Sequence, residues 1–448
     1  MQIGLDFGTT NSSVAVYDGS TITMLPLDPR NTANPRLLRS SLFLTREGVA
    51  YIGREAMDRF LEGNVGREID YAWKYIGDAE LTFADMDTSV IQALYAYVDD
   101  SAPGRLFQSL KSGLRDAGFT HTSVFGRAYT LEELIALALR LILLRVQDQL
   151  GQLVTGVVVG RPVHYATDPA ADTLAFKRMR YACKLAALPN VTFLEEPSAA
   201  ALDYARQSRH AQRVLVFDFG GGTLDLTVMQ IDRHGKMQVL ATDGVPVGGD
   251  VLDQRIVMGR MLKHFGEGAM LGARKLPFPV HVLEHLSEWQ SIVDLTQPRY
   301  LDIIDEGISM SDRPEQLRAL RALVRRNYGL LLYEAVEQAK VALSDSNAAV
   351  ISLHREDLAI DEPLPRWDFE RLIGPDVRDV EQCIDRALAA AGLTPAAIDT
   401  VLRTGGSSRV PRFVRLLSQK FGAEKLHEMD VFTGVTSGLA IAAWQRGQ

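Results

Sequence analysis

Cysteine is almost missing from this chain. Only Cys183 and Cys383 occur, and no CxxC spacing joins them. That excludes a disulfide framework and a cysteine-built zinc site, and it fits a reduced compartment. A basic surplus is missing too: 48 lysines and arginines stand against 56 aspartates and glutamates, for a net charge of −8. Bulk charge therefore argues against binding nucleic acid or an anionic membrane, although a nest of backbone N–H groups can hold an anion without net positive charge. No long apolar run is present. The most apolar window, Leu131 to Val146, is interrupted by Glu132, Glu133, Arg140 and Arg145, so it reads as a helix packed on a sheet and not as a membrane span. The first residues, Met1-Gln2-Ile3-Gly4-Leu5-Asp6, lack the basic segment and apolar core of a signal peptide. A cytoplasmic location is the expectation. Low-complexity tracts, flexible linkers and the phosphate-binding pattern GxxxxGK[ST] are all lacking.

What is present is a globular composition, 46% hydrophobic and 23% charged, over 448 residues. That length calls for more than one core. Ile3 to Asp6 and Val14 to Tyr17 read as strands around a Gly-Thr-Thr-Asn turn. Residues 39–127 are irregular and read as an inserted subdomain. A helix is predicted from Leu131 to Leu150, a doubly buried strand from Val154 to Val159, a helix from Pro169 to Ala187, a strand from Val191 to Leu194 and a helix from Pro197 to Arg206. From Arg213 the pattern restarts. Val214 to Phe217 and Leu224 to Met229 read as strands. Residues 248–374 read as mostly helical, with loops at Leu276 to Val280 and Thr296 to Ile303. Thr400 to Leu402 reads as a strand, and Arg412 to Lys420 and Thr436 to Gln445 as helices. The division expected is a first lobe over 1–212, with its insert at about 39–127, and a second over 213–448, with its insert at about 248–374.

The restart carries the chemistry. Ile3-Gly4-Leu5-Asp6-Phe7-Gly8-Thr9-Thr10 and Val216-Phe217-Asp218-Phe219-Gly220-Gly221-Gly222-Thr223 share one design: an apolar strand, Asp-Phe-Gly, a Gly/Thr turn and a returning strand. Glycines let backbone N–H groups approach phosphate oxygens, and threonine hydroxyls add donors. An aspartate at each strand end suits a magnesium ion held through water, because Mg²⁺ keeps several waters and takes few direct carboxylates. A dinucleotide fingerprint fits poorly, because each turn leads into a strand and not a helix.

These motifs resemble the ATPase domain of DnaK-type heat-shock chaperones, within the actin and sugar-kinase superfamily. Glu196-Pro197-Ser198-Ala199-Ala200, Val247-Gly248-Gly249-Asp250 and Thr404-Gly405-Gly406-Ser407-Ser408-Arg409 extend the likeness in the right order, and the whole is similar to the short YegD-like branch. The resemblance implies an α/β, actin-like ATPase fold of two lobes, each a mixed β-sheet flanked by helices and carrying an insert. It implies ATP or ADP with Mg²⁺ in the cleft. Asp6, Glu196 and Asp218 are the implied catalytic residues, with Asp6 and Asp218 holding the metal through water. Gly8, Thr9, Thr10, Asn11, Gly220, Gly221, Gly222 and Thr223 would face the phosphates, and Gly248 and Gly249 would lie near the nucleotide. Glu337, Lys340 and Ser344, on one helix face, would reach the ribose and adenine edges, and Gly405, Gly406, Ser407 and Arg409 would border the adenosine. Other readings stay open. Glu196 could complement a helix dipole, Glu337 and Lys340 could be an exposed pair, Arg409 a surface cation, and Asp225 a support for the second hairpin.

Three departures qualify the likeness. The family's catalytic lysine aligns with Met57 in Ile52-Gly53-Arg54-Glu55-Ala56-Met57, which predicts slow hydrolysis unless Arg54, Arg59 or Lys111 takes its place. The adenine-stacking arginine aligns with Val341. The sequence ends at Gln448, so no peptide clamp is expected within it. The readings that follow are an ATPase whose lobe closure changes a protein interaction, a nucleotide-gated module without hydrolysis, a small-molecule kinase and a filament former. The partner protein is not named by the sequence, and neither nucleic acid nor membrane is expected as a partner.

Overall fold

The computed structural model describes residues 1–67, 71–82, 89–99, 101–166, 168–207, 210–233, 236–429 and 434–447. Two central sheets share one topology. In the first, the order is Ile22–Met24, Asn11–Tyr17, Gln2–Phe7, Gly156–Arg161, Val191–Glu195, with the short Leu38–Arg39 also on Asn11–Tyr17. In the second it is Met237–Val245, Leu224–Ile231, Gln212–Phe219, Thr400–Thr404, Leu426–Glu428. Each sheet is antiparallel on the hairpin side and parallel on the other, so the strand orders superpose as 3-2-1-4-5. The restart in the sequence is thus a repeated sheet, and the fold is the mixed α/β, two-sheet architecture expected.

Local chemistry sets the flanking helices. Thr130 caps Leu131–Leu150 by accepting from the Glu133 N–H at 3.2 Å, while Glu133 Oε2 accepts from the Thr130 N–H at 2.8 Å. Gly151, at φ 62°, ends that helix. Its apolar stripe, including Leu134, Leu139 and Ile142, is fully buried against the first sheet. Burial of such side chains stabilises by about 1.5–3 kcal/mol each.

The last described helix, Gly434–Arg446, returns to the first sheet, while its Val435, Leu439 and Ala443 share a buried cluster with Val214, Val216 and Leu402 of the second. It packs on Gln2–Phe7, Asn11–Tyr17 and Glu196–Gln207. The approach is so close that a Cβ on Gly438 would lie 1.7 Å from the Ala199 carbonyl oxygen, and one on Gly4 would lie 2.3 Å from the Ala440 nitrogen. Only glycine fits at either position.

Two expectations in the second insert change. Residues 348–365 are not helical but form the antiparallel hairpin Ala348–Arg355/Leu358–Pro365, whose alternating burial is a two-residue period. Thr296 to Ile303 is not a loop: Pro298 opens the helix Pro298–Met310, where its fixed φ suits a first turn. The first insert carries a small sheet of Ser41–Thr45, Ala50–Ile52 and Gly104–Gln108, beside the helix Arg54–Asn64 and the hairpin Tyr71–Thr82/Ser89–Asp99. It meets the second lobe through a shared apolar cluster: Phe43, Met57, Phe60 and Leu106 pack with Leu330 and Trp289, the Phe60 and Trp289 rings edge-on at 5.9 Å. No described helix is long and apolar enough to cross a membrane.

Candidate functional site

The two Asp-Phe-Gly turns face each other across the cleft. In the first hairpin Asp6 pairs with Ser13 and Phe7 with Ser12; in the second Asp218 pairs with Asp225 and Phe219 with Leu224. The equivalent register places both aspartates at the strand ends that open into one cavity of about 180 Å³. A Cβ on Gly221 would sit 1.7 Å from Thr10 Oγ1, so the turns nearly touch. The Thr10 Oγ1 is buried and has no hydrogen-bond partner among the described residues. That is the condition of a donor waiting for a ligand oxygen.

Around this cavity the structure gathers Asp6, Gly8, Thr9, Thr10, Asn11, Glu196, Asp218 and Gly220 to Thr223. Gly405 and Gly406 complete the far wall. They follow Thr400–Thr404, the parallel neighbour of Gln212–Phe219. Gly405, at φ 79°, could not carry a side chain there: its Cβ would meet the Phe219 carbonyl oxygen at 2.3 Å.

Lys111 is the deeply placed cation of the site, and the exposed Arg115 also lines the cavity. The Lys111 Nζ donates to Glu196 Oε1 at 2.8 Å, both side chains nearly buried, and it lines the cavity with Asp6 and Asp218. Burial alone would favour the neutral amine, but the carboxylates of Glu196 and Asp6 overcome that and hold it protonated. Met57 is not at the site. It is 2% exposed in the apolar cluster with Phe43 and Phe60. The alignment that set residue 57 in the lysine's place is corrected: the charge comes from the turn Leu110–Arg115, after the edge strand Gly104–Gln108. Arg54 and Arg59 are engaged elsewhere, Arg54 with Asp58 and Glu334, Arg59 with Glu55.

The carboxylates are crowded. Burial, then Glu196, pushes Asp6 up to about 7, with Lys111 opposing. Burial, then Glu196 and Asp225, holds Asp218 well above the usual range. Asp225 rises to about 6, chiefly through burial and Glu196, although the Thr223 hydroxyl donates to its Oδ2 at 2.9 Å. Such a set binds protons when alone and favours a cation in their place. No three His, Cys, Asp or Glu side chains among the described residues converge as a direct metal cage. The donor set therefore fits a magnesium ion held through water and phosphate oxygens. Asp225 and Tyr165 also belong to the cavity. The Tyr165 hydroxyl is buried without a partner among the described residues, and burial raises it well above the usual phenol range.

The remaining predicted residues lie outside this cavity. Gly248 and Gly249 back the second turn, the Gly249 N–H donating to the Gly220 carbonyl at 3.1 Å. The Ser407 hydroxyl donates to the same carbonyl at 2.9 Å. Lys340 Nζ reaches the Gly249 carbonyl at 3.0 Å and Asp253 Oδ2 at 2.7 Å. Glu337 is bound by both terminal nitrogens of Arg39, at 2.8 and 2.6 Å, across the cleft. Arg54 makes a parallel bond to Glu334 at 2.8 Å. The Ser344 carbonyl lies 3.5 Å from Arg366 Nη2. Arg409 pairs with Glu428 at 3.3 Å and is half-exposed, and Val341 is 60% exposed. Glu337 and Lys340 are thus not an exposed pair with each other; each binds a different element.

The Hsp70 protein family model matches residues 2–275 and 324–445. The chain is 28% identical over 450 residues to the chaperone protein DnaK of Thermus thermophilus, covering 98% of this chain and 60% of that protein. It is 26% identical to the chaperone protein dnaK of Cyanidioschyzon merolae, covering 98% of this chain and 61% of that one, and 26% identical to the DnaK of Deinococcus proteolyticus, covering 98% and 58%. The chain thus spans about three fifths of the length of the curated relatives it matches. With its twin sheets, facing Asp-Phe-Gly turns and a family match over most of its length, the chain belongs to the Hsp70 family.

Proposed function

We propose that this chain binds ATP with Mg²⁺ between its lobes and hydrolyses it, and that lobe closure on the nucleotide is read by a partner protein. The observation that carries the reading is the buried Lys111–Glu196 pair beside Asp6 and Asp218 over two facing glycine turns. Phosphoryl transfer needs positioning and stabilisation of negative charge, and little covalent help from the protein. The N–H groups of Gly220 to Thr223 and the hydroxyls of Thr9 and Thr10 would cradle the β- and terminal phosphates. Asp6 and Asp218 would hold magnesium-bound waters, and the ion would supply charge neutralisation at the phosphates. Lys111 would meet the charge that develops on the terminal phosphate. Glu196, held by Lys111, and Asp6 would orient the attacking water and accept its proton. The reason to expect slow hydrolysis rested on residue 57 and falls with the placement of Lys111. The cross-cleft pairs Arg39–Glu337 and Arg54–Glu334 support a closed state that a partner could sense.

Single-turnover hydrolysis of labelled ATP tests this. Lys111→Ala should slow the step by about 10²–10³, the usual loss on removing one well-placed donor, while calorimetric ATP affinity changes little because many backbone groups share the phosphates. Wild-type binding without turnover would leave a nucleotide-gated module as the function. Absence of any Mg·ATP binding would refute the proposal outright.

A further inference from the structure

A second, larger cavity of about 310 Å³ adjoins the phosphate cavity, sharing Thr9, Thr10 and Ser112 with it. It lies between the first insert and the second lobe; of the residues expected near the adenosine, Glu337 lines it and Gly405 to Arg409 do not. Part of its wall, Ser287 to Gln290, belongs to residues 276–323, the stretch between the two segments that the family model matches. Part of the cavity wall therefore lies outside the two segments that the family model matches.

Its charge is one-sided. Asp250, Asp253, Glu288, Glu334 and Glu337 line it, with Arg39 as the guanidinium among them. Arg39 is committed to Glu337 through two hydrogen bonds, and Glu334 is taken by Arg54. Lys340 satisfies one oxygen of Asp253. The other, Oδ1, is fully buried and has no hydrogen-bond partner among the described residues, although Asp253 is only 6% exposed. Asp250 and Glu288 have no ion-pair partner among the described residues either. A buried carboxylate oxygen left without a donor is destabilising, so a ligand with N–H donors and positive charge recovers what the fold leaves unmet. Trp289 and Leu330 give the same cavity an apolar side. A bare divalent ion needs several converging oxygen ligands, and no such cluster exists among the described residues. The space is about ten water volumes, enough for a small organic molecule.

We propose that this cavity binds a small organic cation, an amine or guanidine, with its charged head on Asp253 Oδ1 between Asp250 and Glu288 and its hydrocarbon part against Trp289 and Leu330. Nucleotide and cation then occupy neighbouring chambers of one cleft, the glycine-bordered chamber serving the anion and the carboxylate-lined chamber serving the cation.

Calorimetry on the full chain decides it, with agmatine, putrescine and spermidine as probes and 1,4-butanediol and glutarate as neutral and anionic controls. Each is titrated without nucleotide and again with saturating Mg·ADP. Saturable binding of at least one cation in both conditions is expected, with neither control binding. Asp250→Asn and Glu288→Gln should each weaken it by about 2- to 5-fold, the range for partly exposed charge pairs, with unchanged melting temperature. Asp253→Asn should weaken it by at least about 10-fold; if that variant fails to fold, the first two still decide. The proposal is overturned if no cation saturates by about 10 mM, beyond the range of a specific weak site. Equal binding of butanediol, or unchanged affinity in the Asp250→Asn/Glu288→Gln double variant, would also overturn it. So would loss of binding on adding Mg·ADP, which would put the cation on Asp6 and Asp218. The titration without nucleotide stands whether or not the chain binds ADP, so the two readings fail separately.

Discussion

Raising the pH of the nucleotide-free, metal-free chain should destabilise it. Asp6 carries a carboxyl pushed up to about 7 and Asp225 one at about 6, against an unfolded value of 3.8 for each. The folded chain therefore holds more protons than the unfolded chain between pH 4 and 7, and stability falls as pH rises through that window. Integrated from pH 5.5 to 8, the loss is about 2 kcal/mol for Asp6 and about 0.8 kcal/mol for Asp225. Asp218, raised for the same reasons, adds in the same direction. Urea unfolding in EDTA at several pH values measures the slope. Other groups titrate in this range, so the informative quantity is wild type minus Asp6→Asn, which should lose about 2 kcal/mol of the pH dependence. If Mg·ADP binds the ionised carboxylates as proposed, its stabilisation, about 2.7 kcal/mol at a hundredfold over Kd, should grow from pH 5.5 to 8. A wild-type slope identical to that of Asp6→Asn, or a Mg·ADP effect that shrinks with rising pH, would refute the placement of these carboxyls in one desolvated cluster.

Met57→Lys should restore nothing: residue 57 lines the carboxylate-lined cavity beside Leu330 and not the phosphate cavity, so the single-turnover rate should show no gain. Arg39→Ala with Arg54→Ala removes both cross-cleft ion pairs, so stopped-flow release of a fluorescent ADP should quicken several-fold while the second-lobe core keeps its amide protection; an unchanged release rate would show that these pairs do not restrain opening. Tyr165→Phe removes the buried orphan hydroxyl, and it should lower the single-turnover rate with ADP affinity and melting temperature held, a split that a packing role for the ring would not give.

Much of this site is legible in sequence because its parts are local. Asp6 to Asn11 and Asp218 to Thr223 each fit within one tight turn, and the strand–turn–strand pattern announces it. The capping box at Thr130 and Glu133 likewise fixes the start of a helix by neighbouring residues alone. Lys111 is different. It meets a glutamate 85 positions away, from a short turn that repeats neither the Asp-Phe-Gly pattern nor any helix or strand period, and the sequence offers it only as one of three cations. The register of the alignment across an irregular insert decided the matter wrongly for Met57, and only tertiary packing shows which residue faces phosphate and which faces Phe60. Glu337 shows the same limit. Its helix face is readable, but the Arg39 that binds it arrives from the other lobe. The hairpin Ala348–Arg355/Leu358–Pro365 was hidden because its strands follow directly on a long helix with no strong breaker between them.

The return of Gly434–Arg446 to the first sheet governs the order in which the molecule can be made. The first sheet lacks part of its packing until the helix Gly434–Arg446 is available, because residues 438–440 lie directly against Gly4 and Ala199. During synthesis the second sheet, whose described strands all lie between Gln212 and Glu428, is complete before the first lobe has its last partner. The first-made half must then wait, with Ala15 and Tyr17 uncovered, for contacts more than 400 residues away in sequence. Long-range closure of this kind slows folding and exposes apolar surface to aggregation. A chain that holds its first half open for so long is expected to need protection while it is being made.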